Sequence, residues 1–159
     1  MKTHFLFPNQ FKKIGWILFV PSLVIGIVLY TNSFNFDDYF KTNVFAILND
    51  ELLSKSNYFS IIKNGILDEM ILIFIIVGGI LVGFSKVKRE DELISKIRYE
   101  SLVWAVYFNF GIMLFSTIFI YGMMYFNVLI MNVFSMLFFF IIRFHYMLYK
   151  LQKSIQDEE

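Results

Sequence analysis

Four long runs without a charged side chain constrain this chain more than any other feature. They span residues 14–31, 70–85, 99–121 and 124–142, the third admitting a single charge, Glu100, at its edge. A helix crossing a hydrocarbon core about 30 Å thick needs about 20 residues, with a working range of about 17–25. The second run enters that range once Asp68 and Glu69 are admitted at its edge. Composition points the same way. Of the 159 residues 58% are hydrophobic, 20% are aromatic and 21 are Phe, with mean hydropathy +0.64. Soluble domains average about 45–50% apolar, and a soluble core this small could not hide so many rings. The expected fold is all-α and integral to a membrane. It is a single membrane domain: a four-transmembrane-helix bundle with spans over 14–31, 68–85, 99–121 and 124–145.

The connections then carry the polar residues: an outer loop over 32–67, a segment over 86–98 and a tail over 146–159. Lys12-Lys13 before the first run resembles the start of a secretory signal. Leu29-Tyr30, however, stands where a small-residue cleavage site belongs, so a retained anchor is expected. Orientation follows from the basic residues. Lys2, Lys12, Lys13, Lys86, Lys88, Arg89, Lys96, Arg98, Arg143, Lys150 and Lys153 fall on one side; Lys41, Lys55 and Lys63 fall on the other. The excess of Lys and Arg on cytoplasmic segments assigns both termini and the 86–98 segment to the cytoplasm, in a bacterial inner membrane. Trp16 and Trp104 lie just inside that end of their spans, and Tyr121 and Tyr125 flank the tight Gly122-Met123 tip at the other.

The outer loop is expected to be helical. Phe40, Val44, Ile47, Leu48 and Leu52 recur at helical spacing, and Tyr58, Ile61 and Ile62 suggest a second short piece after Lys55-Ser56-Asn57. Such an amphipathic element would lie on the outer leaflet or roof the bundle.

Inside the spans the polar groups are Ser22, Asn109, Ser116, Thr117, Asn132 and Ser135, with no ionisable residue at depth. Pumps and proton-coupled carriers keep such groups at depth, so their absence argues against those classes. A rise of about 1.5 Å per residue brings Asn109 level with Ser135, and Asn132 level with Ser116, as interhelical hydrogen-bonding pairs. Gly79 and Gly83 form a small-xxx-small pair on the second span, and Ser22 with Gly26 forms another on the first. Pro21 is expected to kink the first span. Without Cys there is no disulfide, thiolate site or thiol catalysis. His4 and His145 lack supporting ligands, so no metal or cofactor is expected, and Arg143 is expected to snorkel to the headgroups.

The stretch Lys88 to Ser101, KREDELISKIRYES, is the most distinctive. Glu92 and Lys96 have the favourable i,i+4 order, and acids gather where a helix would begin near Asp91. One helix is expected from about Asp91 to Tyr121. The pattern Asp91-Glu92-x-Ile94-x-x-Ile97-Arg98-x-Glu100-Ser101, followed by Ala105, joins Phe11-Lys12-Lys13-Ile14-Gly15-Trp16 in a layout that resembles a family of small, uncharacterised bacterial four-span inner-membrane proteins. The resemblance implies no activity. It implies at most a cytoplasmic docking surface, for which Asp91, Glu92, Lys96, Arg98 and Glu100 are the candidate residues; a solvated, orientation-setting helix is the plainer reading of the same charges.

No catalytic constellation is visible, so a non-enzymatic regulator, sensor or accessory subunit is expected. An oligomeric passive channel or carrier is the alternative, and an intramembrane lipid enzyme ranks third. The partners implied are the lipid bilayer and either another protein or a second copy of the chain. A net charge of +1 gives no basic field for nucleic acid.

Overall fold

The computed structural model describes residues 5–31, 40–49, 57–88 and 90–157. Six elements follow in order: α1 (Asn9–Thr31), β1 (Lys41–Asn49), β2 (Asn57–Gly65), α2 (Leu67–Phe84), α3 (Glu92–Phe119) and α4 (Met123–Asp157). Lys2, His4, Leu52, Lys55, Ser56 and Arg89 lie outside the described residues.

All four helices are long and apolar enough to cross a membrane. In their most apolar windows only 11–28% of residues are buried by the protein itself. Large side chains such as Ile27, Ile73, Leu114 and Val133 stand exposed on them. Apolar surface on this scale is unfavourable in water and calls for an apolar solvent.

The chain divides into two compact units. One comprises residues Leu18–Ile76 and the other Met1–Ile17 with Val77–Glu159. In the first, the outer segment overturns the helical expectation: it is an antiparallel β-hairpin, so the fold is not all-α. Its register runs from Lys41 opposite Gly65, through Val44 opposite Ile62, to Asn49 opposite Asn57. Thr42, Val44, Phe45 and Ile47, facing Tyr58, Phe59, Ile61 and Ile62, are the β-branched and aromatic types that suit a pleated surface. Over so few residues their spacing fits period 2 and period 3.6 alike. Cross-strand pairing decides between them. Only Ile66 separates β2 from α2, and Asn64 Nδ2 donates to Glu69 Oε1 at 2.7 Å, tying the base of the hairpin to the first helical turn. In α1, Ser22 is buried and donates to the Leu18 carbonyl at 2.6 Å, so its hydroxyl is satisfied within its own helix.

In the second unit α3 and α4 form a helical hairpin. Gly122, at φ +70°, makes the turn between them, and the Tyr125 amide donates back to the Gly122 carbonyl. Asp91 caps α3, its carboxylate accepting the Ile94 N–H at 2.8 Å; this satisfies one of the donors that a helix start leaves open. The core gathers Val82, Ala105, Phe140, Ile141 and Phe144. α4 does not stop at the end of its apolar run but continues as helix to Asp157, taking in most of the expected tail.

Two glycines permit close approach here. A Cβ on Gly83 would stand 2.6 Å from Phe140 Cε1, and one on Gly15 would stand 2.9 Å from the Val82 backbone nitrogen. Gly79, its sequence partner, is buried on the same helix as Gly83. Replacing Gly83 by Ala should displace the Phe140 ring and lower stability by about 1–3 kcal/mol. Gly111→Ala, with nothing within 4 Å of the new methyl group, should leave stability unchanged or raise it. Unfolding in detergent, followed by circular dichroism, measures both.

Candidate functional site

The polar residues of the second unit concentrate at the end where α2 stops and α3 begins. The chain entering α1 is bound there by its backbone. The Phe7 N–H donates to the Phe84 carbonyl at 3.0 Å, and the Lys86 N–H donates to the Phe7 carbonyl at 2.9 Å. Asn9 Nδ2 adds a bond to the Lys86 carbonyl at 2.6 Å. These bonds satisfy carbonyls and amides that the end of α2 would otherwise leave open.

Arg98 lies at the centre of this end. It is only 5% exposed. Its guanidinium is paired with the Glu90 carboxylate, donates to the Ser85 carbonyl at 3.3 Å, and sits 4.8 Å over the Phe144 ring. Glu90 in turn accepts the Val87 N–H at 2.8 Å, which folds the 86–90 segment back toward α3. A charge removed from water needs a partner and hydrogen bonds for what remains. Glu90, Ser85 and the face of Phe144 supply most of that compensation, while Arg98 Nε, Ser85 Oγ and His145 Nε2 are buried without a hydrogen-bond partner among the described residues.

A second arginine behaves alike. Arg143 does not reach outward: Nη1 donates to the buried Ser101 hydroxyl at 2.9 Å, and its guanidinium lies 5.7 Å over the Trp104 ring. His145 Nδ1 donates to the Ile141 carbonyl, 2.8 Å away, and the ring meets Trp16 edge-on with centroids 5.4 Å apart.

Farther along α3 and α4, Asn109 Nδ2 donates to Ser135 Oγ at 2.7 Å and to the Asn132 carbonyl at 2.8 Å. Ser135 passes its own proton to Asn132. Phe108 stacks on Phe139 beside them at 4.4 Å. Ser116, matched to Asn132 by depth in the sequence, instead bonds the Ile112 carbonyl of its own helix at 2.7 Å. Such amide and hydroxyl bonds are worth roughly 0.6–2 kcal/mol in a membrane and orient helices rather than perform chemistry.

The expected docking residues therefore separate. Arg98 is consumed by the interior. Asp91 serves as the helix cap. Lys96 and Glu100 line an open groove of about 350 Å³ between the start of α3 and the far part of α4. Its floor is Leu93, Ile97, Met147 and Leu151; Lys150 and Ser154 complete the rim. The groove was not visible in the sequence because its second wall lies in the tail, where α4 continues past its apolar run. The i, i+4, i+7 spacing of Met147, Leu151 and Ser154 in the tail is the signal that would have found it.

Among the described residues no group of three or more His, Asp or Glu side chains stands ready to hold a metal ion. No family model matches the chain, and no curated protein or solved structure matches it.

The Arg98–Glu90 pair yields a direct test. Glu90→Gln leaves a buried guanidinium without its counter-charge and should cost about 3–5 kcal/mol. Combining it with Arg98→Met removes both charges and should recover most of that loss. A double-mutant cycle of detergent unfolding free energies measures the difference.

Proposed function

We propose that this chain is a four-span integral protein of a bacterial inner membrane, with both termini in the cytoplasm, and that it works without catalysis as a small regulator, sensor or accessory subunit. Two things support the spanning topology. The helices leave their apolar surface uncovered by protein, and the chain start, the 85–98 segment and Arg143 all meet at one end of the same compact unit. The excess of Lys and Arg on those segments then gives that end to the cytoplasm.

The observation that carries the functional reading is the groove between α3 and α4 at this end. It offers an apolar floor large enough for one or two side chains, with Lys96 and Lys150 set against Glu100 on its rim. That pattern suits a segment of another protein presenting a large apolar residue beside an acid. Two arginines near the spans are held within the protein. Arg98 is paired with Glu90, and Arg143 is held by Ser101 and Trp104.

The test is recovery of a partner from native membranes through a C-terminal tag. Lys96→Glu combined with Lys150→Glu should lower the yield of the co-purifying protein about tenfold, roughly 1.4 kcal/mol in binding, while the chain's own abundance in the membrane holds. Arg98→Ala is unsuited to this experiment, because it removes an interior group. Unchanged partner recovery in the double variant would contradict the reading.

A further inference from the structure

The β-hairpin has two faces of different character. Val44, Ala46, Ser60, Ile62 and Asn64 on one face are partly covered, although Leu48 and Tyr58 at the far end of that face are exposed. On the other, Phe45 is 65% exposed, Ile47 65%, Phe59 70% and Ile61 73%. These four are neighbours: Phe45 pairs with Ile61 across the strands, and the Phe45 and Phe59 rings lie 6.3 Å apart. Lys41 and Lys63 stand on the same face, toward the end where β2 runs into α2, and neither strand contains an acid. A contiguous apolar patch with basic residues at its margin and no negative charge fits a lipid surface.

Three constraints select that occupant. The hairpin is tethered through the single residue Ile66 to a helix long and apolar enough to cross a membrane, so lipid is the nearest apolar phase available to it. The lysines of its two strands, Lys41 and Lys63, complement phosphate headgroups. Its depth is also bounded: the outer edges of a two-stranded sheet carry peptide groups that need water or headgroups, so the strands cannot enter the hydrocarbon. What remains is the interface, where rings and branched side chains dip below the headgroups while the backbone stays among them.

We propose that the Phe45, Ile47, Phe59 and Ile61 face of the hairpin lies on the surface of the membrane that the chain itself crosses, with Lys63 and Lys41 at the level of the lipid phosphates. The proposal rests on the spanning reading above. It makes the hairpin a lipid-contacting paddle, through which a change in headgroup charge or lipid packing reaches α2 by way of one connecting residue and the Asn64–Glu69 bond.

The chain has no Cys, so single cysteines carry a nitroxide label without background. The full chain is placed in nanodiscs of phosphatidylethanolamine and phosphatidylglycerol, and collision with oxygen is compared with collision with a water-soluble nickel chelate. Labels at Phe45→Cys, Ile47→Cys and Ile61→Cys should show an oxygen-to-nickel ratio about fivefold above Val44→Cys and Ala46→Cys, a period-two alternation expected of a strand lying on lipid. Met131→Cys on an exposed face of α4 is the control for the spanning reading. A high ratio at Met131 with uniform nickel access along the hairpin overturns the paddle and leaves the spans standing. Protection from both reagents, with magnetic broadening between labels on different copies, assigns the face to a second copy and also overturns it. A low ratio at Met131 overturns the spanning reading and the paddle together.

Discussion

The burial of Arg98 is the constraint around which the charged end of this protein is organised. A guanidinium at 5% exposure must be neutralised and hydrogen-bonded, and the groups that do so come from separate stretches of chain. Glu90 belongs to the segment before α3, the Ser85 carbonyl to the end of α2, and Phe144 to α4. Satisfying one side chain therefore fixes three backbone segments relative to each other. The Phe84–Phe7–Lys86 backbone bonds add the start of the chain to the same assembly.

Away from that end, polar chemistry gives way to packing. The α3–α4 hairpin carries an amide–hydroxyl network at Asn109, Asn132 and Ser135 and a hydroxyl contact between Thr117 and Tyr125 at 3.0 Å, and it also meets through rings such as Phe108 on Phe139. Most of the remaining helix surface is apolar and faces away from the protein. Such surface suits an apolar solvent, and hydroxyls such as Ser116 and Thr117 bond back to their own helices, a pattern that needs no water to satisfy them.

How much of this could be read from the residues depended on distance along the chain. Helices are local, so uncharged runs locate them, and Asp91 is visible as a cap because its partner is three residues on. Counting rise per residue from the hairpin tip brings Asn109 level with Ser135, and the 2.7 Å bond between them agrees with that count. The β-hairpin was not legible. Its strands are short, its apolar residues satisfy two periodicities, and the deciding bonds join residues such as Lys41 and Gly65 that no local pattern connects. Arg98 was misread for the same reason. In KREDELISKIRYES it looks like one charge on a solvated face, yet its partner Glu90 lies outside the helix and reaches it only because Val87 turns that segment back. Gly15 gave no signal at all, since the backbone of α2 that it admits is remote in sequence.

The proposed topology puts the segments gathered around Arg98 on the cytoplasmic side and the segment joining the first two spans outside. Labelling of single cysteines by a membrane-impermeant maleimide, in intact cells and in lysed ones, tests it most directly. With cells intact, Thr42→Cys on the hairpin should react, while Lys88→Cys and Lys153→Cys should react only after lysis. Reaction of Lys88→Cys or Lys153→Cys from outside intact cells would contradict the account.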